Sequence, residues 1–248
     1  MGDINQPIDE VVAKVIQYFQ LNTQIYFTEE DVRPQLIKQL EAKLTQQGWQ
    51  HVPLKEGYTS TVHGEYPTPF RCSMAGRSFK LANIKSKAQR GHFDIVLLNP
   101  SATAQCTFKV VRSQYYQAFL QALPQLLLPF LDCVIEIKLY PRSCLSKSNR
   151  VCRSASGICY TSRQQSSCGL RGSVNILPPR PFARYGMLLM LDNSHLTGDG
   201  DVVGARDYFQ WTFEKALDWH LLPNTFSAIW ATSDKKREYR EMRQPLIS

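Results

Sequence analysis

The chain is 248 residues long, with 43% of its residues in the apolar and aromatic class, 20% charged, and a formal net charge of +8. Such a composition builds a globular core and excludes wholesale disorder and fibrous repeats. It shows no obvious membrane helix, because Pro124, Gln125, Pro129, Asp132 and Glu136 break the greasiest stretch, Leu123 to Ile137, short of the roughly 18 apolar residues required.

The opening residues, MGDINQPIDE, are polar and acidic, unlike a secretory signal. A cytoplasmic setting is therefore expected, with the seven cysteines mostly reduced; their odd number also argues against a closed disulfide framework. A helix is predicted from about Ile8 to Phe19, where Ile8, Val11, Val12, Val15, Ile16 and Phe19 recur on one face. T-E-E-D at Thr28 resembles a capping box with an acidic first turn. Leu36, Leu40 and Leu44 continue that helix toward Gly48, a suitable terminator. Pro34 lies too deep to be a comfortable first-turn residue, so a kink or restart is expected there.

The period then changes to two. Tyr58 to Tyr66 reads as a strand with Thr59, Thr61, His63 and Glu65 on one face, and Pro67 to Gly91 as a long hairpin connection. H-F-D-I-V-L-L-N-P is a short buried strand stopped by Asn99-Pro100. Ser113 to Leu128 favours helix, and Cys133 to Leu139 is a second buried strand. Pro141 to Pro181 is rich in serine, cysteine and arginine with almost no apolar periodicity, which marks an irregular insertion. Tyr185 to Leu191 reads as a central strand, Ala205 to His220 as a helix and Phe226 to Ala231 as a last strand. K-K-R-E-Y-R-E-M-R then reads as a charged terminal helix. The expected architecture is a single α/β domain over residues 1–248, a mixed sheet flanked by helices, with its core about 28–233 and the insertion at 141–181.

Charge is concentrated in that insertion. From Ile137 to Leu191 there is no Asp or Glu, whereas the rest of the chain is close to neutral. A localised basic excess suits a polyanion, and Arg142, Lys147, Arg150, Arg153, Arg163 and Arg171 are the candidate nucleic-acid contacts.

The chemistry-bearing residues lie in V-I-E-I-K-L, residues 134–139. Alternate side chains of a strand share a face, so Glu136 and Lys138 stand together while Ile135, Ile137 and Leu139 face the other way. Charges in so apolar a strand lose hydration and need a compensating partner. Asp94, in F-D-I-V-L-L, can reach the same place from another buried strand. Two carboxylates and the main-chain carbonyl of Ile137 offer oxygen ligands to a hard divalent cation, Mg2+ or Mn2+, and Lys138 can orient a water or stabilise a transition state beside it.

In these residues the chain resembles the PD-(D/E)xK nuclease superfamily, with its restriction-endonuclease-like α-β-β-β-α-β core. The resemblance spans roughly Thr28 to Leu191. It implies that Asp94 is the motif aspartate, Glu136 the acidic member and Lys138 the lysine of E-x-K. It further implies a glutamate from the first core helix, for which Glu29 and Glu30 are the candidates. Glu65 and His92 are additional candidates. Phe93 stands where the name-giving proline would be, and the Ser/Cys/Arg-rich insertion stands in place of the helix expected after E-x-K. The implied activity is Mg2+- or Mn2+-dependent hydrolysis of DNA phosphodiesters, with DNA as partner and a homodimer left open. The alternatives are a catalytically inactive nuclease-fold protein that binds nucleic acid or a partner, and a plain α/β domain in which Glu136 and Lys138 are a salt-bridged pair.

Other chemistries find no support. Cys144, Cys152, Cys159 and Cys168 form no C-x-x-C knuckle of the sort structural zinc sites use. The P-loop, H-E-x-x-H and G-x-S-x-G patterns are missing, and the run G-D-G-D-V-V-G has the wrong spacing for a dinucleotide fingerprint, so no nucleotide cofactor is expected. Trp211, Trp219 and Trp230 read as core residues.

Overall fold

The computed structural model describes residues 4–67, 71–75, 78–82, 92–112, 130–140, 183–193 and 226–238. Helix α1 (Asn5–Leu21) buries Ile8, Val11, Val12, Val15, Ile16 and Phe19 along one stripe. After a short 3-10 turn, α2 (Glu29–Gln46) opens on a capping box in which Asp31 Oδ2 accepts the N–H groups of Thr28 at 2.7 Å and Phe27 at 2.8 Å. These bonds hold the Asp31 carboxyl below its ordinary range. Contrary to the kink expected at Pro34, α2 runs through it. Pro34 is the sixth helical residue, so the bond its ring forfeits is the one to the Glu30 carbonyl, at an end where packing of Val32, Leu36, Leu40 and Leu44 holds the helix. At the other end Gly48, with φ of 73°, lets its own N–H reach Thr45 O and that of Trp49 reach Leu44 O, a Schellman closure.

The strand expected over Tyr58 to Tyr66 is two strands. β1 (His51–Leu54) and β2 (Gly57–Ser60) form a hairpin, and β3 (Val62–Pro67) begins only after Thr61. Thr61 is the pivot: its N–H and hydroxyl bond back to the carbonyls of Gln50 and Trp49, and its own carbonyl accepts from Leu98. The connection after Pro67 carries its own hairpin, β4 (Arg71–Ala75) with β5 (Ser78–Ala82). Next come β6 (His92–Leu98), two short helices α3 (Pro100–Thr103) and α4 (Phe108–Val111), and β7 (Leu131–Tyr140). Asn99 stops β6 by capping α3, its Oδ1 accepting from Ser101 and Ala102. β8 (Ala183–Asp192), β9 (Phe226–Ala231) and β10 (Lys236–Glu238) complete the described elements. The helices expected at Ser113 to Leu128 and Ala205 to His220, the insertion at 141–181, its four cysteines, Trp211 and Trp219 lie outside the described residues.

The charged terminal helix is corrected at its start, because β10 lies where it was expected to begin. Thr232 bonds Asp234 and the Lys235 amide through its hydroxyl, and donates its N–H to Lys235 O, a tight turn that returns residues 236–238 antiparallel onto β9. Ladder bonds on a free edge outweigh the weak helical preference of a short charged run.

The main sheet has the strand order β10-β9-β8-β7-β6-β3. β3, β6 and β7 form an antiparallel meander, then β8 pairs parallel with β7 and β9 parallel with β8. A parallel neighbour requires the chain to cross back to the starting end between β7 and β8. One sheet face, with Ile95, Leu97, Ile135, Ile137, Leu139, Met187 and Leu189, packs on the stripes of α1 and α2. The opposite face is buried too: Val134, Leu188, Met190 and Trp230 are all fully covered. This explains why β7 and β8 read as apolar runs. No helix among the described residues is long and apolar enough to cross a membrane.

Candidate active site

Asp94 is where the sheet opens. β3 and β6 pair at Gly64 with Ile95 and again at Tyr66 with Phe93, but not at Glu65 and Asp94 between them. On the other side, β6 and β7 pair Ile95 with Ile135, and the next pair, Asp94 with Glu136, is missing. With both ladders interrupted at its position, Asp94 bends its carboxylate into the gap and accepts the Ile137 N–H at 2.7 Å.

Lys138 fills the fork. Its Nζ lies 3.3 Å from Glu136 Oε2, 3.4 Å from Asp94 Oδ2 and 3.5 Å from Glu29 Oε2, and donates to the Ile137 carbonyl at 2.6 Å. The oxygens of Asp94 and Glu136 therefore share one cation from two strands. Glu29 comes from the first turn of α2, in the helix layer that covers the Ile135–Ile137 face, and reaches the fork from there.

Burial governs the electrostatics. Asp94 and Glu136 are each only 8% exposed. Desolvation pushes the Glu136 carboxyl up to about 8, against the pull of Lys138 and with the help of the Asp94 charge. Burial likewise raises the half-buried Glu29 carboxyl, with Lys138 opposing. Desolvation works against the Lys138 ammonium, yet Glu136, Asp94 and Glu29 together hold it above the ordinary lysine range.

Glu30 and Glu65 do not join this group. Both are ion-paired with Arg33, a buried cation on α2. Successive helical residues point about 100° apart, so with Glu29 turned to Lys138, Glu30 falls instead one turn before Arg33. His92 shares strand parity with Asp94 but sits at the exposed start of β6, and no hydrogen bond or ion pair among the described residues joins it to the fork. Arg142, Lys147, Arg150, Arg153, Arg163 and Arg171 lie outside the described residues.

Two charged residues escaped the sequence reading. Arg33 interrupts the buried stripe of α2, a lone cation whose burial is a signal of the same kind as Glu136 in its strand. Asp192 ends β8 at 1% exposed and accepts the indole N–H of Trp230 at 3.3 Å. It pairs with Tyr140 in the parallel register, two residues beyond Lys138 with Met190, so it shares the face of Glu136 and Lys138. Its sequence signal is the terminal acid of L-L-M-L-D.

Asp94, Glu136 and the Ile137 carbonyl are oxygen donors of the type a hard divalent cation takes. In the fork itself three carboxylates, Glu29, Asp94 and Glu136, meet the one ammonium of Lys138 in these ion pairs. No group of three or more His, Cys, Asp or Glu side chains among the described residues is arranged around one metal position. The central position among the three carboxylates is taken by the Lys138 ammonium. Comparison with protein-family models, curated proteins and solved structures found no match.

Proposed function

We propose that this chain is a metal-dependent nuclease of the PD-(D/E)xK type that hydrolyses DNA phosphodiesters. The observation that carries the reading is the convergence of Asp94, Glu136 and Lys138 on one fork between two buried strands. Supporting it, α2, the antiparallel strands β3, β6 and β7 and the parallel neighbour β8 come in the order that the motif resemblance implies, with the position of the helix expected before β8 lying outside the described residues.

In this reading Asp94 and Glu136 hold Mg2+ or Mn2+ through their carboxylates, with the Ile137 carbonyl as a third oxygen. When bound, the cation neutralises charge developing on the phosphodiester and lowers the pKa of a water. Lys138, relieved of part of its carboxylate cage, donates from Nζ to the attacking water or to a phosphate oxygen. Glu29 stays beside Lys138 and fixes where the ammonium points. The basic segment from Arg142 to Arg184 contacts the phosphate backbone, which positions DNA without reading its sequence.

One observation favours a second reading, a catalytically inactive nuclease-fold protein that binds nucleic acid or a partner. Lys138 already supplies a cation to all three carboxylates, so the fork is an ion cluster without a metal. Plasmid nicking with Mg2+ or Mn2+, run alongside thermal unfolding with and without the ion, separates the two. A nuclease nicks DNA and gains about 2.7 kcal/mol of stability at a hundredfold excess over the dissociation constant. The absence of both nicking on duplex, branched or single-stranded DNA and any stabilisation removes the nuclease reading, and DNA binding then separates the binding protein from a plain α/β domain.

A further inference from the structure

Among the described residues, Glu65 is the one non-glycine residue with positive φ, at 49°. An L-residue resists the left-handed region because its Cβ crowds the following carbonyl, and such a conformation persists only where the surroundings hold it. The holder here is Arg33. Its guanidinium bonds Glu65 on β3 and Glu30 on α2, although the Arg33 side chain is only 8% exposed. Its Nε is buried with no hydrogen-bond partner, so the guanidinium is placed to join two carboxylates at the expense of its own third donor position.

The kink it holds is opposite Asp94. Register is regular on either side, with Gly64 on Ile95 and Tyr66 on Phe93, and lapses only at Glu65 and Asp94. An extended Glu65 would pair with Asp94 and draw that residue into the β3 ladder. Asp94 is thereby left to turn its carboxylate toward β7, where it takes the Ile137 N–H and faces Lys138.

We propose that Arg33 and Glu65 are a positioning pair for the fork: by holding β3 in its left-handed kink they keep the ladder open at Asp94 and so set where its carboxylate stands. The effect on cation affinity rests on the nuclease reading. The effect on the Ile137 amide does not, which keeps the two failures apart.

The test compares Glu65→Ala with Glu65→Gly. Both lose the carboxylate, but only glycine adopts positive φ freely. Two readouts apply: hydrogen exchange of the Ile137 amide in metal-free protein, and Mn2+ affinity by titration calorimetry. Glu65→Ala should speed Ile137 exchange and weaken Mn2+ binding about tenfold, while Glu65→Gly stays within about twofold of the parent in both. Arg33→Lys, which keeps the charge but loses the planar fork, should shift Ile137 exchange in the direction of Glu65→Ala. Equal losses of Mn2+ affinity in Glu65→Ala and Glu65→Gly with parent-like Ile137 exchange would mean that the carboxylate acts on the cation directly, and the positioning role falls. Parent-like Ile137 exchange in both Glu65→Ala and Arg33→Lys overturns it as well. If the parent binds no Mn2+, the nuclease reading fails and the exchange data alone decide the positioning role.

Discussion

The Asp94 carboxylate accepts the main-chain N–H of Ile137 at 2.7 Å, in the gap where β6 and β7 cease to pair. A side chain thus completes the hydrogen bonding of a buried strand and also faces the charge site. Asp94→Asn keeps an acceptor for Ile137 and should fold nearly as well as the parent. Asp94→Ala leaves the amide unsatisfied and should cost about 1–3 kcal/mol in urea unfolding. Cleavage should be lost in both, and equal stability of the two variants would show that the Ile137 bond contributes nothing.

Lys138 balances three carboxylates in a mostly buried place. Lys138→Met should destabilise the metal-free protein by about 3–5 kcal/mol near pH 8, because it leaves the carboxylates uncompensated. The loss should shrink as pH falls through about 8, where Glu136 takes up its proton, and Mn2+ should restore part of it. Lys138→Ala should abolish plasmid nicking while leaving Mn2+ binding largely intact; an active Lys138→Ala would move the catalytic role elsewhere.

Glu136 has its carboxyl pushed up to about 8 by burial, so near neutrality it favours the protonated form. Its stabilising contribution is present at low pH and lost as pH rises through that value. Glu136→Gln, a neutral isostere, should therefore match the parent near pH 4, gain on it steadily as pH rises toward 8, and hold a constant advantage above that. Metal affinity and cleavage should fall together in this variant, measured by calorimetry and nicking.

Asp132 offers a pH test away from the fork. It is 3% exposed, its Oδ1 lacks a hydrogen-bond partner, and Arg184 lies 3.4 Å away, beyond hydrogen-bond alignment though close enough for an ion pair. Burial raises its carboxyl to about 6, with Arg184 opposing. The raised value means that stability is full below the ordinary aspartate range and declines as pH climbs through 6. Asp132→Asn should be more stable than the parent by up to about 3 kcal/mol at pH 8, with the gain vanishing below pH 4. A gain independent of pH would assign it to packing.

Charge reversal at Arg150 and Arg153 tests the basic segment. If these residues contact phosphates, Arg150→Glu with Arg153→Glu should weaken DNA binding and lower the salt slope by about 2. Affinity measured across a salt series would show no change if the segment plays no part.

What the sequence by itself determined follows from local rules. The apolar stripe of α1, the Thr28 capping box and Gly48 mark helices through periodicity and end chemistry, which need no knowledge of the rest of the chain. Glu136 and Lys138 are legible as a pair for the same reason, since strand alternation alone puts them on one side. Only the tertiary structure decided the rest. Whether Asp94 meets Lys138 depends on which strands are neighbours and where their ladders break, a matter of pairing between residues 33 to 40 apart in the chain. Glu29 and Glu30 are equivalent as letters, but the rotation of α2 against the sheet sends one to Lys138 and the other to Arg33. The left-handed kink at Glu65 leaves no mark in composition, because a buried arginine from another element holds a conformation that glutamate would not choose alone.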